Sequence, residues 1–149
     1  MKIHLATDHA GFELKQKIAN YLQSNSYHVI DHGPDSYQSN DDYPDFIIPA
    51  VESAVSSAEL AIVLGGSGTG EAIAANKVLG ARAAVYYGGS EEILRLSREH
   101  NDANVLSLGA RFLTETEVKN AINVWLQTDF SNEDRHVRRL GKISDYENK

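Results

Sequence analysis

Four glycines fall within the six residues Gly65-Gly66-Ser67-Gly68-Thr69-Gly70, and no other stretch constrains the fold as strongly. Before them runs Glu59-Leu60-Ala61-Ile62-Val63-Leu64, a short apolar run of buried-strand type. After them runs Glu71-Ala72-Ile73-Ala74-Ala75-Asn76-Lys77, an Ala/Ile-rich segment of helical type. A strand, a glycine loop and a helix start make up the architecture of an anion site. Glycines let backbone N–H groups turn toward a ligand, and the helix N-terminus adds partial positive charge.

Glu71 departs from the nucleotide-binding version of that pattern. A P-loop has lysine after its last glycine, and a carboxylate there would repel phosphates. Two readings stay open on position alone. Glu71 is a proton-transferring base beside an amide cradle, or it is a first-turn acid that favours the helix dipole.

The rest of the chain narrows the class. At 149 residues it reads as one domain, residues 1–149, long enough for a core. No apolar run approaches a membrane span, and Met1-Lys2-Ile3-His4 does not open a signal-peptide pattern. There is no cysteine, hence no disulfide and no thiolate nucleophile. The expectation is a cytoplasmic chain. A net charge of -7 argues against nucleic-acid and anionic-membrane partners. The first 60 residues carry an acidic excess and no arginine, whereas the tail gathers Arg135-His136-Val137-Arg138-Arg139. That cluster is either a solvated helix face or a guanidinium clamp for a phosphate.

Strand-type and helix-type segments alternate along the chain. Strands are expected at residues 2–7, 27–31, 59–64, 82–87 and 104–108. Leu14, Ile18 and Leu22 mark one face of a first helix. Residues 35–42 form a polar loop of mobile composition. A helix follows over 43–57, with Pro44 suited to its first turn and Pro49 able to kink it. Another opens at Ser90 and reaches Glu99. Thr114-Glu115-Thr116-Glu117 is a capping box ahead of Val118, Ala121, Ile122 and Trp125. A last helix spans about 132–147. Five strands alternating with helices predict a Rossmann-like, doubly wound α/β sandwich with a five-stranded parallel sheet and helices on both faces.

Ligands bind such sheets beyond the carboxyl ends of the strands. Asp8 and His9 follow the first strand, the glycine loop the third, and Arg111 the fifth. A dinucleotide fingerprint does not fit, because the first turn is Asp8-His9-Ala10-Gly11 and Glu71 follows the glycines of the third. Asp8 also reads as a helix N-cap. His100 lies in the turn before the fifth strand, as a cap or a proton shuttle. Asp8, His9 and His100 lack the spacing of a metal motif, so a metal site stays open but unsupported.

Six motifs in order resemble the B-type ribose-5-phosphate isomerases, a family related to the galactose-6-phosphate isomerase subunits. They are Asp8-His9-Ala10-Gly11-Phe12, Asp42-Tyr43-Pro44, Gly65 to Glu71, Ala74-Ala75-Asn76-Lys77, Arg98-Glu99-His100-Asn101-Asp102 and Arg135-His136-x-x-Arg139. The resemblance spans the whole chain. Many members carry a cysteine base at the first loop position, where this chain has Gly65; a second branch uses a glutamate at the loop's end, which Glu71 matches.

The resemblance implies interconversion of ribose 5-phosphate and ribulose 5-phosphate through a cis-enediolate, in the non-oxidative pentose phosphate pathway. Glu71 would then be the base and His100 the ring-opening acid, with Asp8 assisting or holding a hydroxyl. The N–H groups of Gly66, Ser67, Gly68, Thr69 and Gly70 would face the enediolate. Asn101 would bond a sugar hydroxyl, Arg111, Arg135, Arg139 and His9 would grip the phosphate, and no metal or organic cofactor would be needed, because the adjoining carbonyl stabilises the carbanion. The resemblance also implies a homodimer or homotetramer with sites between subunits, where His100, Asn101 and Arg111 of one protomer face its partner's glycine loop. A six-carbon substrate (allose 6-phosphate or galactose 6-phosphate) and a non-catalytic sugar-phosphate-binding module are the alternatives.

Overall fold

The computed structural model describes residues 1–149. Its five strands are β1 (Lys2–Thr7), β2 (His28–Asp31), β3 (Leu60–Gly65), β4 (Ala83–Tyr86) and β5 (Val105–Gly109). All pair in parallel, in the order β2-β1-β3-β5-β4. The helices are α1 (Phe12–Ser24), α2 (Pro44–Ser56), α3 (Thr69–Ala75), α4 (Glu92–Glu99), α5 (Glu115–Leu126) and α6 (Asp134–Glu147), with a 3-10 turn over His9–Gly11 ahead of α1.

The central strands β1, β3 and β5 are buried on both faces, mostly with apolar side chains, because helices cover both. On one face Ile3, Leu5, Ile62, Leu64 and Leu106 meet Ile18 and Leu22 of α1, Leu94 of α4 and Trp125 of α5. On the other, Ala6, Ala61, Val63 and Val105 meet Ile47, Ala50 and Val51 of α2 and Ala74 and Ala75 of α3. Alternate residues of each central strand therefore feed the two cores on opposite faces of the sheet.

Local signals behave as their chemistry dictates. Pro44 opens α2, and Pro49 is held inside it. Thr114 and Glu117 close both halves of the capping box on α5. The helix expected from Ser90 begins at Glu92, and the last helix at Asp134 rather than Asn132.

The strand order places a switch point between β1 and β3. The chain leaves β1 toward β2, and β3 pairs on β1's other side. Thr7 Oγ1 donates to Leu64 O at 2.8 Å across the top of that pair. Helix α6 lies apart from the two cores: His136 is its one buried residue.

Candidate active site

The glycine loop rises from the carboxyl end of β3, at the switch point. Gly68 has a φ of 77°, and a Cβ there would stand 2.9 Å from the backbone carbon of Leu108, so both the turn and the close approach to β5 require glycine. Ser107 Oγ donates to Gly68 O at 2.6 Å, and the N–H groups of Ala110 and Arg111 donate to Gly65 O and Gly66 O at 2.8 and 3.0 Å. The loop is thus fastened to the end of β5. Ser67 Oγ accepts the Thr69 N–H at 3.2 Å. The N–H groups of Gly66, Ser67 and Gly68 donate to no protein acceptor.

Glu71 sits in the first turn of α3, as a dipole-favouring acid would, but it is only 4% exposed. Its carboxylate folds back over Gly65, where any Cβ would collide with it. Burial raises its pKa above the ordinary glutamate value, and the nearby Asp8 charge adds to the rise. Its own backbone N–H opposes the shift in part. A desolvated carboxylate beside three open N–H groups is arranged to take and return a proton next to a stabilised oxyanion.

Asp8 is buried and caps the 3-10 turn, its Oδ1 accepting the Ala10 N–H at 2.9 Å. The cap expected from sequence and the place beside Glu71 are therefore held by one residue. His9 Nδ1 lies 2.6 Å from Asp41 Oδ1. Asp8, His9 and Asp41 offer ligand atoms within 4.8 Å of one another and are the residues that could hold a cation. All three are already engaged, Asp8 as the cap and Asp41 with His9.

Arg111 corrects one expectation. Its guanidinium lies against Gly66 of its own chain, where a Cβ would be 3.2 Å from Nη1, rather than only facing a partner's loop. The fastening of β5 to the glycine loop puts it there.

His100 and Asn101 lie at the other edge of the sheet. They follow α4 just before β5, and Arg82, at the start of β4, donates from Nε to Asn101 O at 3.1 Å. His100 stacks on His136, ring centroids 4.1 Å apart and 16° from parallel. Ser131 N–H donates to Glu99 O at 3.1 Å, so the start of α6, with Arg135 and Arg139, belongs to this edge. A five-residue strand spans about 15 Å, and β5 separates these residues from Glu71. One chain therefore brings together Asp8, His9, the glycine loop, Glu71 and Arg111, and separately His100, Asn101 and the first turns of α6.

Three further residues join the two clusters without having been singled out from sequence. Tyr43 packs on the loop, 2.8 Å from where a Gly70 Cβ would be. Asp41 holds His9. His136 is 3% exposed, and burial lowers its pKa, with the His100 and Arg135 charges adding to the fall. Tyr43 and His136 lie inside quoted motifs, whereas nothing local to Asp41 marks it.

The family model for ribose/galactose isomerases matches residues 3–143. The chain belongs to the ribose/galactose isomerase family. Among its relatives in that family, ribose-5-phosphate isomerase B of Mycolicibacterium paratuberculosis is 45% identical over 99% of this chain and 92% of its own length. Ribose-5-phosphate isomerase B of Mycoplasma genitalium, in a crystal structure with bound ribulose-5-phosphate, superposes with a TM-score of 0.94. It is 38% identical and covers 99% of this chain and 97% of its own. The family member from Clostridium thermocellum gives a TM-score of 0.91 at 43% identity, covering 99% and 98%.

Proposed function

We propose that this protein is an aldose–ketose isomerase that interconverts ribose 5-phosphate and ribulose 5-phosphate. The observation that carries the reading is the buried Glu71 carboxylate, folded over Gly65 beside the open N–H groups of Gly66, Ser67 and Gly68. The full-length likeness to ribose-5-phosphate isomerases B supports the five-carbon substrate.

Ring opening comes first, because the aldose is largely a closed furanose. His100 donates the proton to the ring oxygen, and Asp8 holds or deprotonates the anomeric hydroxyl. Glu71 then takes the C2 proton, and the electron pair moves onto the C1 carbonyl oxygen to give a cis-enediolate. The loop amides hold that oxygen. Glu71 returns the proton to C1 while the O2 proton passes to O1, leaving the C2 ketone. Asn101 bonds a sugar hydroxyl, and His9, Arg111, Arg135 and Arg139 bind the phosphate. Arg135 and Arg139, four residues apart on α6, share a face.

These groups meet only if His100, Asn101 and α6 of one protomer close over the carboxyl edge of another. The separation of the two clusters supports such a homodimer, alone or paired into a tetramer. Apolar side chains left uncovered in the single chain support it too: Phe112 beside Arg111 is 64% exposed, and Val137 and Ile143 on α6 are about half exposed. We place the enzyme in the cytoplasm, in the non-oxidative pentose phosphate pathway, and residues 1–149 act as one domain.

Turnover of ribose 5-phosphate, measured beside allose 6-phosphate and galactose 6-phosphate, tests the assignment. Preference for ribose 5-phosphate is expected. Preference for a hexose phosphate overturns the substrate, and no turnover of any of them overturns the enzyme.

A further inference from the structure

The glycine loop turns its carbonyls one way and its amides the other. Its peptide bonds are all trans, so each C=O points opposite to the N–H that follows it. Gly65 O and Gly66 O accept the Ala110 and Arg111 N–H groups at 2.8 and 3.0 Å, on the side of β5. Strand β3 lies between β1 and β5, so the N–H groups of Gly66 and Ser67 are aimed toward the β1 side, where Asp8 ends its strand. These two fastenings use backbone N–H groups, which any residue but proline supplies.

The third fastening needs a side chain. Ser107 Oγ, fully buried under the loop, donates to Gly68 O at 2.6 Å. Gly68 O also accepts the Ala72 N–H at 3.0 Å, the first bond of α3. The same peptide unit carries the Thr69 N–H, which turns away from Ser107 and donates to Ser67 Oγ at 3.2 Å. Ser67 Oγ thus spends a lone pair on Thr69, and its own hydrogen goes to no protein acceptor. Gly68, at a φ of 77°, has no side chain to resist rotation of that peptide, so the bonds to its oxygen set the plane.

We propose that Ser107 is a positioning residue for the isomerisation: its hydroxyl fixes the Gly68–Thr69 peptide, which holds Ser67 with its hydroxyl hydrogen directed at the oxygen that becomes charged in the enediolate. This rests on the reading that the glycine loop holds the enediolate. The chain of donors runs from Ser107 to Gly68 O, across one peptide to Thr69 N–H, and on to Ser67 Oγ, each bond polarising the next. Ser107 itself touches no reacting atom. Its effect grows with the charge on the enediolate, so it belongs to the rate and not to the binding of the sugar phosphate.

Ser107→Ala removes the hydroxyl and leaves Gly68 O its bond from Ala72, so no buried polar group is orphaned and the fold should hold. Amide exchange with solvent, followed by NMR in the unliganded full-length protein, reads the peptide first. The Thr69 N–H should exchange about tenfold faster in Ser107→Ala, the worth of about one hydrogen bond, with Ala74 and Ala75 unchanged. For ribose 5-phosphate, kcat should fall about ten- to hundredfold, short of the about 100- to 1000-fold cost of losing an oxyanion donor outright. The Michaelis constant should stay within about twofold. Adding Ser107→Ala to Ser67→Ala should cost no more than about twofold further, because Ser107 acts through Ser67. An unchanged Thr69 exchange rate, a loss confined to the Michaelis constant, or losses that multiply in the double variant overturn the proposal. Wild-type turnover is scored separately. If ribose 5-phosphate is not isomerised the function fails, while Thr69 exchange still decides whether Ser107 holds the peptide.

Discussion

The Glu71 carboxylate occupies the space that any side chain at Gly65 would need. The two positions form one site: the glycine at the end of β3 is the floor on which the Glu71 carboxylate rests. The B-type family, by resemblance, puts a cysteine base at position 65 in many members. Position 65 and the Glu71 carboxylate thus compete for one volume.

Gly65→Ala should therefore displace Glu71 without breaking the sheet. A Cβ cannot coexist with the carboxylate, but the backbone of β3 remains paired on both sides. We expect kcat to fall about 100-fold or more, since misplacing a reacting group by about an ångström costs that much. Circular dichroism should show the fold retained. Unchanged kcat would mean that Glu71 does not act from where it lies.

The raised pKa of Glu71 has consequences of known sign. The folded chain holds this proton to higher pH than the unfolded chain does. Its contribution to stability is full below the unfolded value and is lost as pH rises through the folded one. At neutral pH the ionised, buried carboxylate is a cost. Glu71→Gln should raise Tm at pH 8, by about 2–4 °C per kcal/mol recovered, with the gain disappearing in acid. The wild-type kcat should decline on the acid side with a midpoint above the ordinary glutamate range. Thermal melts and rates across pH check both.

Arg135 is exposed and its Nε lies 2.8 Å from Glu133, an engagement that surface screening makes weak. It is free to bind phosphate, which the substrate carries throughout the reaction. Arg135→Ala should raise the Michaelis constant about tenfold or more and leave kcat nearly unchanged. An unchanged Michaelis constant removes it from the clamp.

The separation of His100 from Glu71 predicts complementation. Glu71→Gln and His100→Ala should each be inactive. In a mixed dimer one of the two sites inherits both intact groups. Unfolding and refolding the variants together should restore about a quarter of wild-type activity, given random pairing in a two-fold dimer. No recovery, with dimers formed, would place the whole site in one chain.

Much of this was legible in the residues. Short apolar or alternating runs located all five strands, because the central strands β1, β3 and β5 are buried along nearly their whole length. The glycine loop was legible as a close backbone approach, whereas position alone left Glu71 open between a base and a first-turn acid, because the sequence does not show that its carboxylate is buried over Gly65. The strand order was not legible. Local periodicity says nothing of which strand pairs with which, so the placing of β5 between β3 and β4 appears only in the structure. That order fastens Arg111 to the glycine loop of its own chain. The docking of Asp41 on His9 was equally hidden, since a polar loop's composition does not say which oxygen will meet which N–H. The stacking of His136 on His100 needed α6 to be placed, and its charge pattern alone allowed a solvated face.

The most direct test follows one hydrogen. Ribose 5-phosphate isomerised in deuterium oxide by the wild type should give ribulose 5-phosphate carrying deuterium at C1, through exchange on the Glu71 carboxyl. Glu71→Gln should bind ribose 5-phosphate with near wild-type affinity and form product about a thousandfold more slowly or worse. Product formation by Glu71→Gln within about tenfold of the wild-type rate, with deuterium still entering at C1, would contradict the central claim.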